Sequence, residues 1–226
     1  MWPFRKVLTD DAESYVAGKS LAKPSRRGPV EGIRLVVVDT ETTGLDTTRD
    51  RILSVAVASI DHWSLGMASM RTWIVKQEGV LLNEAMAIHG ITPAQSAAGV
   101  PEVEVTRALG RFMSGTVLVG HHVGFDATML DQVFRRHLGV KLYNPMIDTA
   151  ALAMAELEAF RRTGYANQRP PGLEEVCANC GIPMMERHTA EGDVFTTAEL
   201  FLLLCARRRK RLGRPLEWRD LPWVKW

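Results

Sequence analysis

The sequence predicts an α/β domain in which a mixed five-stranded sheet, a three-strand meander plus two further strands, is flanked by helices. Three observations lead there. Three apolar, β-branched segments follow one another early, separated only by turn residues. The later chain alternates short apolar runs with helical periodicity. A length of 226 residues with 46% hydrophobic and 24% charged content suits one substantial core.

The elements fall in order. Residues 1–30 are mixed in character and close on Lys23-Pro24-Ser25-Arg26-Arg27-Gly28-Pro29, which reads as a linker, so the globular body opens near Gly32. Strands are expected at 33–39, 51–60 and 67–75, joined by the Gly44–Asp50 turn and a short link near Asp61–Gly66. A helix follows at 102–113, a short strand at 116–120, and a helix at 125–138, where Phe125, Met129 and Val133 recur at helical spacing. Ile147-Asp148 ends a last short strand, followed by helices at 149–162, 172–180 and 193–209. The division expected is an N-terminal extension 1–30, a domain 31–205, and a basic, Trp-rich tail 206–226.

Composition narrows the class. Cys177, Cys180 and Cys205 are too few and too unevenly spaced for a disulfide framework, and no signal peptide or membrane span is visible, so the expected setting is the cytoplasm. The net charge of +2 hides basic ends around an acidic body of net −7 over residues 31–205. That distribution suits a cation-binding centre flanked by phosphate-contacting arms, or simply solubility. Cys177-Ala178-Asn179-Cys180 reads as buried helix-end thiols, since no second pair follows. Arg207 to Arg211 fits a helix C-terminus, with phosphate contact as the alternative. Trp218, Trp223 and Trp226 fit packing of the tail onto the body, with base stacking as the alternative.

The chemistry is concentrated in carboxylates. The run Val36-Val37-Val38 delivers Asp39 and Glu41 one residue apart, on the same face of a strand end. Two anions beside a core repel each other and lose solvation, which a hard cation with oxygen ligands, Mg²⁺ or Mn²⁺, relieves. Asp126 lies in the first turn of a helix, in line with Leu130 and Val133. Asp193 heads an apolar stripe of Thr197, Leu200 and Leu204, and His188 sits in the loop before it, able to titrate near neutral pH.

Together Asp39, Glu41, Asp126, His188 and Asp193 resemble the DnaQ-like 3′–5′ exonucleases of the DEDDh subgroup. The likeness rests on Val38-Asp39-Thr40-Glu41-Thr42-Thr43-Gly44-Leu45, on His121-His122-Val123-Gly124-Phe125-Asp126 and on His188-Thr189-Ala190-Glu191-Gly192-Asp193, with Ile88 to Thr92 and Asp148-Thr149 in support. It covers about residues 33–205. His122 stands where many members carry Asn, which changes the local hydrogen bonding but not the acid at Asp126.

The resemblance implies an RNase H-like fold and metal-dependent hydrolysis of terminal phosphodiesters, releasing nucleoside monophosphates. It assigns Asp39 to bridge two divalent ions roughly 3.5–4 Å apart. Glu41 and Asp193 complete the first ion, and Asp126 helps hold the second, largely through water. His188 is the implied general base. Thr42, Leu45 and His89 are implied substrate contacts, Leu45 wedging against the terminal base and His89 standing at a helix start. The implied partner is a nucleic-acid 3′ end, single-stranded DNA first, with a DNA polymerase subunit as a further one and no membrane. Two alternatives stay open: an RNA-trimming exonuclease of the RNase T type, and a non-catalytic nucleic-acid or polymerase-binding scaffold.

Overall fold

The computed structural model describes residues 9–80, 84–161 and 169–224. In chain order these form α1 (Asp10–Ala17), β1 (Leu35–Thr42), β2 (Ile52–Asp61), β3 (Ser64–Leu65), β4 (Arg71–Ile74), α2 (Glu84–His89), α3 (Pro93–Ala97) and α4 (Glu102–Met113). There follow β5 (Val117–Gly120), α5 (Gly124–His137), β6 (Met146–Asp148), α6 (Thr149–Glu156), α7 (Leu173–Cys180), α8 (Ala190–Leu212) and β7 (Trp223–Val224).

One mixed sheet runs in the order β3-β2-β1-β5-β6-β7, with β4 also paired to β2. β1 is central: antiparallel to β2 and parallel to β5. Its valines alternate between two cores. Val37 packs with Ala190, Val194 and Phe201 of α8 on one face, while Val36 and Val38 pack with Leu109 of α4 and Leu130 of α5 on the other. Burial on both faces is why this strand reads as a continuous β-branched run rather than an alternating one.

The mixed sheet flanked by helices is as expected, with seven strands instead of five. The first strand continues through Asp39 and Glu41 to Thr42, because its pairing with β2 persists until a register shift between Glu41 and Thr42. The strand expected at 67–75 is shortened to Arg71–Ile74, and the link expected near Asp61–Gly66 itself holds the short β3. Gly66 and a 3₁₀ turn at Met67–Ser69 separate β3 from β4, and the Ser69 hydroxyl oxygen accepts the Ser59 N–H at 2.8 Å where a ladder partner would stand. α2 and α3 are additional; α3 is fixed by a Thr92–Gln95 capping box with Pro93 at its start.

Both ends differ more. The stretch read as extension and linker contains α1, capped by Thr9, whose Ala12 and Tyr15 are fully buried. The Tyr15 hydroxyl donates to Asn144 Oδ1 at 2.6 Å and accepts the Tyr143 N–H at 3.1 Å. An eight-residue helix owes its stability to such packing, which sequence spacing does not reveal. The expected 205/206 boundary falls inside α8, which runs unbroken to Leu212 and is stopped by the left-handed Gly213. Arg208 and Arg211 there pair with the carboxylate of Glu156, which is almost wholly buried. Trp218 is buried, Trp223 stacks on it at 5.5 Å, and β7 extends the sheet beyond β6. Trp226 and residues 1–8 lie outside the described residues. Among the described residues no helix is long and apolar enough to cross a membrane.

Candidate active site

The site forms where β1 leaves the core. Period-2 alternation makes Asp39 and Glu41 continue the Val37 face, toward α8, while Thr40 continues the Val38 face, toward α5. Asp193, in the first turn of α8, meets the first pair. Oxygens of Asp39, Glu41 and Asp193 all lie within 4.8 Å of one another. Asp126, in the first turn of α5, comes from the other face, where its Oδ1 accepts the Thr40 hydroxyl at 2.7 Å. Helices on opposite sides of the sheet thus bring their N-terminal acids to the same strand end.

Four carboxylates in so small a volume perturb one another. Desolvation holds the Asp39 carboxyl well above the usual range, and the charges of Asp126, Asp193 and Glu41 push it further. Desolvation, then Asp193 and Asp126, raises Glu41 to about 8. Asp126 is raised by burial, against the opposing hydrogen bond from Thr40. Asp193 is raised by burial and held back by the charges of His188 and Arg187. The Asp193 Oδ1 atom is buried with no hydrogen-bond partner. A buried carboxylate oxygen left unmatched in a cluster of three oxygen donors suits a hard divalent cation.

The segment before α8 folds back over its first turn. Glu186 and His188 have φ of +32° and +61°, the left-handed region that costs a side-chain-bearing residue energy. Thr189 caps α8 by accepting the Gly192 N–H at 3.1 Å and donates to the Glu186 carbonyl at 2.7 Å. Gly192 is required by this arrangement: a Cβ there would stand 2.3 Å from the Met185 carbonyl oxygen and 2.5 Å from that of Glu186. His188 is consequently held, half-buried, beside Asp193.

The remaining expected residues are placed as follows. Thr42 is buried and donates to the Gly44 carbonyl at 2.7 Å. Leu45 is 86% exposed, a large apolar side chain with little of its own protein against it. His89 is the last residue of α2, not a helix start. Gly90, with φ of +69°, ends the helix, and His89 Nδ1 accepts the Ile91 N–H at 3.0 Å. The His89 ring is buried beside the Thr42 backbone; desolvation lowers its pKa, against the opposing hydrogen bond with that backbone, and so favours the neutral ring. In the β5–α5 turn, Nε2 of His121 and of His122 both approach the Pro171 carbonyl at 2.9 Å. Burial lowers the His121 pKa to about 4. The Cys177 thiol is raised to about 12, chiefly by burial, so the CxxC pair lacks thiolate character.

Sequence reasoning missed Thr40, the tie between β1 and Asp126; its place between two acids on a strand, pointing to the other face, was the available signal. Asp148, quoted above with Thr149 in support of the resemblance, caps α6 by accepting the Ala150 N–H at 2.8 Å and adds to the charge felt by Asp126. Gly192 and Arg187, flanking the His188 loop, carried no local signal.

This fold and acid cluster define a nuclease-type centre, and residues 36–201 match the RNase_T exonuclease family. The chain belongs to that family and is a DnaQ-like exonuclease. It is 34% identical over 181 residues to the DNA polymerase III subunit epsilon-like protein of Rhodobacter capsulatus, covering 78% of this chain and 24% of that one. It is 26% identical over 195 residues to the DNA polymerase III subunit epsilon of Treponema pallidum, covering 86% and 87% of the two chains. Against the PolC-type DNA polymerase III of Thermotoga maritima it is 28% identical over 197 residues, 86% of this chain and 13% of the relative. The lengths of these relatives differ widely, and the chain spans about a quarter of the first. By fold, 80% of the chain superimposes on 42% of the E. coli exonuclease I crystallised with a dT13 oligonucleotide, with a TM-score of 0.64 and 22% identity.

Proposed function

We propose that this protein is a divalent-cation-dependent exonuclease that removes mononucleotides from the 3′ end of DNA. The observation that carries the reading is the meeting of Asp39, Glu41 and Asp193 oxygens within 4.8 Å, one Asp193 oxygen being buried and unmatched. The donors are all carboxylate oxygens, which fits Mg²⁺ or Mn²⁺ better than a soft metal. Asp39, Glu41 and Asp193 would hold one ion, with Asp39 and Asp126 toward a second. When bound, such ions activate the attacking water and stabilise the leaving 3′ oxygen.

The chain's own groups do the rest. The imidazole of His188 accepts the proton of the attacking water, a role that requires its neutral form. Thr40 fixes Asp126 in one rotamer by donating to it, so the carboxylate is aimed before substrate arrives. Leu45, exposed beside the strand end, packs against the terminal base, while Thr42 and the buried His89 shape the floor beneath it. The single-stranded 3′ end is the favoured substrate: E. coli exonuclease I, which shares the fold, was crystallised with a dT13 oligonucleotide. The epsilon-named relatives make a DNA polymerase subunit the natural protein partner.

The test is digestion of matched 5′- and 3′-labelled DNA and RNA oligonucleotides with Mg²⁺, Mn²⁺ or EDTA, with Asp39→Ala as control. The reading expects stepwise loss from the 3′ end of DNA, abolished by EDTA and by Asp39→Ala. Activity indifferent to both would refute it, and preferential loss of the RNA would transfer the assignment to an RNA-trimming enzyme.

A further inference from the structure

Four carboxylates line the point where a phosphodiester, itself an anion, must arrive. Divalent ions would offset the carboxylate cluster itself, but the neighbouring backbone phosphates of a bound strand still need a cation supplied by the protein. The charge of Arg187 acts on Asp193 against the effect of its burial. Arg187 precedes the proposed base in a loop that has little freedom. It stands between two residues of left-handed φ, Glu186 and His188. The carbonyls of Met185 and Glu186 lie against Gly192, one residue from Asp193. The Arg187 backbone is therefore fixed at the edge of the carboxylate cluster.

Its side chain is not so fixed. The guanidinium Nη2 lies 2.6 Å from Glu174 Oε2 at the start of α7, with the side chains 46% and 57% exposed. An ion pair that open contributes little to stability and exchanges readily. A phosphate oxygen offers the same guanidinium a charge-assisted, bidentate contact of greater strength.

Building on the proposed nuclease function, we propose that Arg187 is a substrate-positioning residue, whose guanidinium exchanges Glu174 for a backbone phosphate of the bound strand beside His188. Glu174 serves as a resting partner that keeps the arginine near the site when no nucleic acid is present.

Two surface substitutions with opposite expected outcomes test this. Arg187→Gln should raise KM for a single-stranded DNA oligonucleotide roughly tenfold, the effect of losing one charge-assisted contact, while kcat changes less than about twofold. It should also reduce the slope of log KM against log salt by about 0.7, the signature of one fewer phosphate contact on a single strand. Glu174→Gln, which frees the arginine, should lower KM. Equilibrium binding of a fluorescein-labelled oligonucleotide in EDTA, read by anisotropy, should show the same order and needs no turnover, so it tests Arg187 even if digestion fails. Should the wild-type protein bind the strand but leave DNA undigested, the nuclease reading falls while the binding order still decides the role of Arg187. Unchanged affinity and salt slope in Arg187→Gln would overturn the proposal. So would a fall in kcat at constant KM, which places the effect on the His188 loop instead.

Discussion

The stability of the metal-free protein should fall as pH rises through the range in which Glu41 ionises, and a divalent cation should reverse the fall. Glu41 is held at about 8 in the folded protein against an ordinary 4.5. A folded-state pKa raised above the unfolded value means that the native protein keeps its proton longer. The stabilising contribution is complete below about pH 4.5 and is lost as pH climbs through about 8. At roughly 1.4 kcal/mol per pH unit the displacement sets an upper bound of about 5 kcal/mol for Glu41. The carboxyl is partly open to solvent, which screens it, and on the order of 2 kcal/mol is the realistic share. For a chain of this size that corresponds to a fall of about 4–8 °C in Tm. The assay is thermal unfolding in EDTA across that pH range, for wild type and Asp193→Asn. The substitution removes the strongest single charge acting on Glu41 while keeping the shape of the side chain. Its Tm should depend less on pH. Adding Mg²⁺ should raise the wild-type Tm more at high pH than at low pH, where the carboxylates are protonated and bind cations poorly. A wild-type Tm that stays level or rises in EDTA, or an Asp193→Asn profile as steep as wild type, would refute this electrostatic reasoning.

His188→Ala should lower kcat about 10²-fold or more while calorimetry shows Mn²⁺ binding largely intact; full activity across the neutral range removes the base assignment. Tyr15→Ala, which empties a fully buried aromatic site and strands Asn144, should destabilise the protein by roughly 3–5 kcal/mol in urea unfolding, and a surface-like effect would mean that α1 is not part of the core. Leu45→Ala should leave unfolding within about 0.5 kcal/mol of wild type, because the side chain is 86% exposed, yet weaken DNA binding by about 1–2 kcal/mol, the worth of the aliphatic area it would cover. Equal losses in both measurements would make Leu45 a structural residue.

The acids were legible because each sits at a marked place: Asp39 and Glu41 at the end of a β-branched run, Asp126 and Asp193 in the first turns of helices with apolar stripes. Those patterns are local, and local patterns survive translation from sequence to structure. The β1 boundary was set too early because polar residues ended the apolar run, whereas backbone pairing with β2 continues through Thr42. The α1 helix and the Trp218–Trp223 tail were underrated for a related reason. Their stability lies in contacts with residues far along the chain: the Tyr15–Asn144 bond spans 129 positions, and Trp223 joins the sheet by pairing with Ile147. The β3–β4 break escaped because Ser59 and Ser69 look like ordinary strand residues until their hydrogen bond is seen.

By itself the order of residues determined which groups can do chemistry here: carboxylates at fixed phases of a strand and two helices, and a histidine ahead of the last one. Phase along an element follows from backbone geometry and needs no partner. Tertiary structure alone decided that Asp126 approaches from the opposite face of the sheet and is tied to Thr40, that Gly192 lets the His188 loop close on α8, and that Arg187 rests on Glu174. Those relations depend on how helices from distant segments seat on one sheet, a matter of packing that no local pattern encodes.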